Sequence, residues 1–176
     1  MSRGELFTRL TIWLALGGYA CGAIAHFVWR ESLQWQAHAR WAWTIGCVSM
    51  LAHVVCAYHF YHAWSQTSVY RETARQTAAV FGLDWGGGVY VNYAFIAAWM
   101  LDVIWWWRGL ERYNQRPRYL VLAWQGFFLF MVFNAMVVFK AGALRWLGIG
   151  LCIALVLVWW MTDRPAIYAD RKGIKA

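Results

Sequence analysis

The chain has 176 residues, of which 62% are hydrophobic and only 14% are charged, against roughly 25% charged residues in soluble domains. Fifteen tryptophans and a mean hydropathy of +0.41 make it too apolar for a water-soluble surface of this size. This composition excludes a disordered, a collagen-like or a disulfide-rich secreted protein.

Five apolar segments follow one another along the chain, each close to the roughly 20 residues that a helix needs to cross a hydrocarbon core of about 30 Å. We therefore predict an all-α integral membrane protein, a single transmembrane helical bundle over residues 1–176. The predicted transmembrane helices cover approximately residues 10–29, 41–64, 88–107, 119–139 and 144–161.

The connection between the second and third segments has structure of its own. Ser65, Thr67 and Ser68 can cap a helix, and Gly82 can end it. Val69, Ala74, Ala78 and Phe81 would share one side of that helix. The pattern predicts a short amphipathic interfacial helix over approximately residues 68–81, lying on the outer membrane surface.

Tryptophan placement gives an independent indication of the segment ends, because indole rings collect at the headgroup level of a bilayer. Only Trp13, Trp99 and Trp124 lie well inside a predicted segment. The tryptophans at predicted ends are Trp29, Trp41, Trp43, Trp64, Trp85, Trp105, Trp106, Trp107, Trp146, Trp159 and Trp160.

The net charge of +8 comes from basic residues that lie in short gaps between apolar runs. Such residues contact anionic headgroups, so we expect the lipid bilayer, and no nucleic acid, as a partner.

The distribution of basic residues between the two sides of the membrane predicts the orientation. The side of the N-terminus would hold Arg3, Arg9, Arg71, Arg75, Lys140 and Arg145. The opposite side would hold Arg30, Arg40, Arg108, Arg112, Arg116, Arg118, Arg164, Arg171, Lys172 and Lys175. The excess on that side predicts that the N-terminus lies outside and the C-terminus in the cytoplasm. We expect the membrane to be a bacterial inner membrane.

Histidines of the second segment are the first candidate site. His59 and His62 are three residues apart, so they are neighbours on one helix face, and His53 lies nearer the bilayer centre. Neutral imidazole is the commonest metal ligand, and Glu72 or Asp84 could complete a site. The alternative is that these histidines are interfacial side chains with one end in water.

A haem bound by two histidines of this chain is disfavoured by depth. His26 lies near the inner end of the first segment, whereas His53 lies much farther from the inner end of the second. The mismatch is roughly 13 Å at 1.5 Å per residue. A haem shared with a partner subunit is the form that the sequence leaves open.

Polar residues at membrane depth are the second set of candidates, because their burial is costly. Asp102 is the only carboxylate inside a predicted segment, and His26 or Arg108 could pair with it. Either a proton relay or a polar clamp between helices would use such a pair. Asn92 and Asn134 are expected to form hydrogen bonds between helices. Gly18 and Gly22 are expected to let a neighbouring helix approach closely.

No motif of a soluble enzyme is found in the sequence, so we expect binding or assembly rather than catalysis. The first hypothesis is a non-catalytic subunit or scaffold of a membrane complex, with other membrane subunits or further copies of this chain as partners. The second is a metal- or haem-associated redox protein that uses the histidines. The third is a bundle that binds a small molecule or a lipid in a cavity among Tyr90, Asn92, Trp99, Trp124 and Asn134.

Overall fold

The computed structural model describes residues 2–171, and the side chains of residues 2–162. Lys172 and Lys175, which entered the charge count, lie outside the described residues, as do the side chains of Arg164 and Arg171. Within the described range the chain is helical and has no strand. The helices are α1 (Arg3–Val28), α2 (Leu33–Tyr61), α3 (Gln66–Phe81), α4 (Gly88–Trp107), α5 (Leu110–Asn114), α6 (Arg118–Phe133), a π-helical turn (Asn134–Val138) and α7 (Ala143–Arg171).

Five helical segments of the described chain are long and apolar enough to cross a membrane, as the sequence predicts. They are α1, α2, α4, α6 with the π-helical turn, and the Ala143–Thr162 part of α7. This all-helical architecture is compatible with a multi-pass membrane protein.

The first two helices begin earlier than the apolar segments that predicted them. Ser2 caps α1 by accepting a hydrogen bond from the Glu5 amide, and Ser32 caps α2 by accepting one from Trp35. Hydropathy marks the part of a helix that suits lipid, whereas a capping side chain marks where its hydrogen bonding begins. Only four residues therefore join α1 to α2.

The second helix ends at Tyr61, before the predicted end at Trp64. Ala63 and Trp64 have φ values of +46° and +61°, an uncommon conformation for residues with a side chain. The Trp64 amide donates to the Tyr58 carbonyl, which closes the last turn. Ser65 then caps α3 and Gly82 ends it with a φ of +72°.

Close contact between α1 and α2 organises the bundle, and the expectation for Gly18 and Gly22 is confirmed. A Cβ atom at Gly18 would lie 2.6 Å from the Cα atom of Gly46, and one at Gly22 would lie 3.1 Å from Trp43. Only glycine permits this approach of the two backbones at Gly18.

An aromatic core fills the space beside that contact. Trp43 lies between Tyr19, Trp99 and Phe128, with ring centroids 5.2–5.5 Å apart. Trp43 and Trp106 are each 1% exposed, so their assignment to the interfacial belt is wrong. The early start of α2 places Trp43 well inside the helix, where it faces its neighbours rather than headgroups.

The fourth long segment ends in a π-helical turn and a tight connection to α7. Gly142 has a φ of +65°, which reverses the chain. The Arg145 side chain donates to the carbonyl oxygens of Val137 and Lys140 at 3.0 and 2.9 Å. These bonds satisfy carbonyl groups that the end of a helix leaves without partners.

Candidate functional site

A partly open cavity of about 270 Å³, here called the chamber, lies between helices of the bundle. Side chains of α1, α2, α3, α4, α6 and the π-helical turn form its wall. Representative apolar members of that wall are Ile12, Leu16, Met50, Ala57, Ile96 and Val132. Its volume is close to the lower end of the roughly 300–1,000 Å³ of small-molecule sites, which are also mostly apolar with a few polar groups.

The polar groups of the chamber are held by bonds between elements. The Nδ1 atom of His53 lies 3.0 Å from the Thr8 carbonyl oxygen, which joins α2 to α1. The phenol oxygens of Tyr58 and Tyr93 lie within hydrogen-bonding distance of each other and of the Gln66 side-chain oxygen, which is 2.5 Å from Tyr58 and 2.7 Å from Tyr93. Because each phenol has one proton, at most two of these three contacts are hydrogen bonds at a time. The Nδ1 atom of His62 lies 3.1 Å from the Ser68 hydroxyl. Helices α2, α3 and α4 are thereby tied together at one end of the chamber.

A second, wider cavity of about 880 Å³, here called the vestibule, lies at the end of the bundle that holds the N-terminus of α1. Its wall is more polar and includes Glu5, Arg9, Gln76, Asn134 and Lys140. Helix α3 forms part of this wall through four side chains, Thr73, Gln76, Thr77 and Phe81. The helix predicted to lie on a membrane surface therefore also covers the mouth of the bundle.

The cavity predicted from the sequence is only partly correct. Asn92 and Trp99 line the chamber, and Asn134 lines the vestibule. Tyr90 is 60% exposed and lines neither part, and Trp124 also lines neither. Tyr58 and Tyr93 were missed, although Tyr58 stands among the histidines of the second segment and Tyr93 follows Asn92.

The five candidate metal ligands form no common site, although two of them, His62 and Glu72, line the same open cavity. No group of three His, Cys, Asp or Glu side chains that could hold a metal ion is found among the residues that the structure describes. His59 is exposed and its ring packs against Phe60 and Trp64. His53 and His62 turn to Thr8 and Ser68, as described above. Asp84 is exposed in the loop after α3.

Glu72 has partners of its own on α3. Hydrogen bonds from Arg75 and then from Gln76 lower the pKa of Glu72 to about 2. The carboxylate therefore stays ionised through ordinary acidic pH, and its contribution to the helix is lost only as the pH falls towards that value. Because the pair is exposed to solvent, it contributes little to stability.

The buried carboxylate Asp102 has a partner, but neither of the two expected. Arg116 donates to it at 2.6 Å, and the Tyr113 phenol donates at 2.9 Å. Asp102 and the Arg116 side chain are 0% and 3% exposed. Arg116 follows α5 and is fourteen residues from Asp102, and the two meet because α5 folds back over the end of α4. No local pattern in the sequence indicates this contact.

Helix α5 supports this ion pair. Burial, and next the charge of Asp102, raise the pKa of Tyr113 well above its usual value, so the phenol remains a donor. The Tyr113 ring stacks on Trp106 with centroids 4.4 Å apart, and the Arg116 guanidinium lies 3.5 Å from the Tyr113 ring centroid. The arrangement closes the end of the bundle opposite the vestibule.

His26 lies beside this cluster without contacting the carboxylate. Its Nδ1 atom is 2.8 Å from the Gln36 side-chain oxygen, and the Gln36 amide donates to the carbonyls of His26 and Trp29. Edge-on contacts join the imidazole to Trp106 and Tyr113. The group is a polar connection between α1 and α2.

The two candidate asparagines do not bond to other helices. Asn134 donates to the Phe130 carbonyl of its own helix at 2.8 Å. Asn92 forms no hydrogen bond to the described residues, and its side chain lines both the chamber and the vestibule. Neither asparagine joins two helices as expected, and both instead line a cavity wall.

Comparisons of the chain with protein-family models, with curated proteins and with solved structures found no match.

Proposed function

We propose that the protein is a multi-pass membrane protein that binds an apolar or amphiphilic small molecule inside its helical bundle. The observation that carries this proposal is the chamber, an apolar space of about 270 Å³ with a few polar groups at one end. A mostly apolar recess with a small number of polar groups is the usual form of a small-molecule site. Its walls come from distant parts of the chain, which makes it a property of the fold.

A photoreactive probe tests this function. We expect a diazirine-bearing twelve-carbon alcohol, added to the protein in phosphatidylcholine nanodiscs, to label chamber residues such as Ile96 and Met131, as mapped by mass spectrometry. The Ala57→Phe variant fills the chamber and should remove most of that labelling. Ala97→Phe is the matched control, because Ala97 is exposed on α4 and lines neither cavity. Labelling confined to exposed positions, or unchanged in Ala57→Phe, would reject the function.

The subunit and cofactor hypotheses stay predictions. Large apolar side chains of α7, such as Trp146 and Met161, are exposed, and such a surface suits lipid and partner helices equally. Purification in mild detergent, with identification of stoichiometric partners and a visible spectrum, separates a subunit or a shared haem from a bundle that binds a small molecule on its own.

A further inference from the structure

We infer, on the basis of the proposed binding function, that the ligand is an anionic amphiphile whose headgroup lies in the vestibule beside Lys140 while its apolar body lies in the chamber.

The two cavities adjoin each other. Five residues line both of them, namely Ile12, His53, Asn92, Met131 and Ala135. Charged side chains line the vestibule but not the chamber, and the vestibule wall also holds more amides and hydroxyls. A mostly apolar cavity beside a more polar one matches a molecule with an apolar end and a polar end.

The charge balance of the vestibule favours an anion. Its charged lining residues are Glu5, Arg9 and Lys140. Glu5 and Arg9 neutralise each other in an ion pair of 2.7 Å. No ion pair to Lys140 is found within the described chain. One positive charge is therefore left to face the space, together with the unbonded amide of Asn92.

The backbone just before Lys140 has an unusual form. The π-helical turn over Asn134–Val138 directly precedes it, and the Phe139 amide closes that turn on the Asn134 carbonyl at 3.1 Å. Arg145 then holds the Lys140 carbonyl at 2.9 Å. Turns of this kind are rare and are found frequently at functional sites. Here the turn brings Asn134, Ala135, Phe139 and Lys140 together on the vestibule wall.

Matched probes separate the headgroup from the apolar body. Diazirine-bearing dodecanoate and dodecyl phosphate are compared with the neutral twelve-carbon alcohol in the same nanodiscs. We expect both anions to label the chamber at about tenfold lower concentration than the alcohol, the difference that one charge-assisted hydrogen bond can give.

Variants of Lys140 assign that preference to one side chain. Lys140→Gln should raise about tenfold the concentration of dodecanoate that is needed to label the chamber, and it should not change the concentration needed for the alcohol. Lys140→Arg should keep the preference for the anions. Arg71→Gln is the matched control, because it removes one positive charge from α3 without touching the vestibule. Lys140 is exposed, so these variants are expected to fold, and retained labelling by the alcohol verifies it.

The outcomes distinguish the two proposals. Equal labelling by anions and alcohol, or an anion preference that survives Lys140→Gln, overturns the headgroup inference and leaves the binding function standing. Absence of chamber labelling by every probe rejects both. Displacement of dodecanoate by phosphatidylglycerol supports the inference with a bilayer lipid as the source. Displacement by inorganic phosphate alone overturns it, because the site would then take a soluble anion.

Discussion

Charged side chains at the two ends of the bundle differ in their burial and in their partners. At the α5 end, Asp102 and Arg116 are buried together and share Tyr113 as a neighbour. At the vestibule end, Lys140 is exposed and forms no ion pair with the described residues. A buried charge without a partner is far more costly than one that reaches water or a ligand. The first pair therefore suits a structural role, and the lone lysine suits binding.

Removal of one member of the buried pair tests this distinction. Arg116→Ala leaves Asp102 without its ion pair and should lower the free energy of unfolding by about 3–5 kcal/mol. Arg112→Ala removes an exposed arginine of α5, the short helix that precedes Arg116, and should change the free energy of unfolding by less than about 0.5 kcal/mol. Equilibrium unfolding in mixed micelles measures both. The double variant Asp102→Asn with Arg116→Gln should lower the free energy of unfolding by less than Arg116→Ala does, because it leaves no unpaired charge. An equal decrease in Arg116→Ala and Arg112→Ala would contradict the structural role.

Among the elements, α1 and α2 form the tightest pair, and glycine decides how close they come. Gly18 contacts Gly46, and a Cβ atom at Gly46 would meet the Trp99 ring at 2.9 Å. The same contact thus sets the position of α4, whose residues line the chamber. Helix α3 is held differently, through capping by Ser65 and through the bonds of Gln66 to Tyr58 and Tyr93.

Two adjacent glycines of α1 provide a matched pair for the close approach. Gly18→Ala forces a Cβ atom against Gly46 and should destabilise the bundle by about 1–3 kcal/mol. At Gly17 no described atom lies within 4 Å of an added Cβ, so Gly17→Ala should be neutral or stabilise by up to about 1 kcal/mol, since alanine favours helix. The effects are expected to differ in sign when unfolding is followed by circular dichroism. The same sign and size for both would show that helix contact is not the cause.

For the whole molecule, exposed apolar side chains surround a core of buried aromatic rings, with the polar contacts gathered at the ends of the bundle. This distribution suits lipid as the surrounding solvent. The structure alters one part of the charge argument, because Arg116 is used inside the bundle and is withdrawn from the surface. Arg108 and Arg112 remain exposed on that side.

The predicted orientation can be checked with reporters fused to the C-terminus in a bacterial host. With the C-terminus in the cytoplasm, a fluorescent protein should be bright and alkaline phosphatase inactive. The reverse result would reject the orientation. Replacing Arg108 and Arg112 by glutamine should increase the inverted fraction, because basic residues beside a segment hold it on the cytoplasmic side.

The sequence by itself determined the all-helical class, the five long apolar helices and the position of α3, since these depend on local hydropathy, spacing and capping residues such as Ser65 and Gly82. It also indicated the close approach at Gly18. Only the tertiary structure decided that Asp102 pairs with Arg116, that Trp43 lies in the core, that His53 turns to Thr8, and that Lys140 faces a cavity. Each of these joins residues from different helices, and the rotation and depth of one helix against another follow from packing over the whole bundle. A pattern along one chain does not contain them.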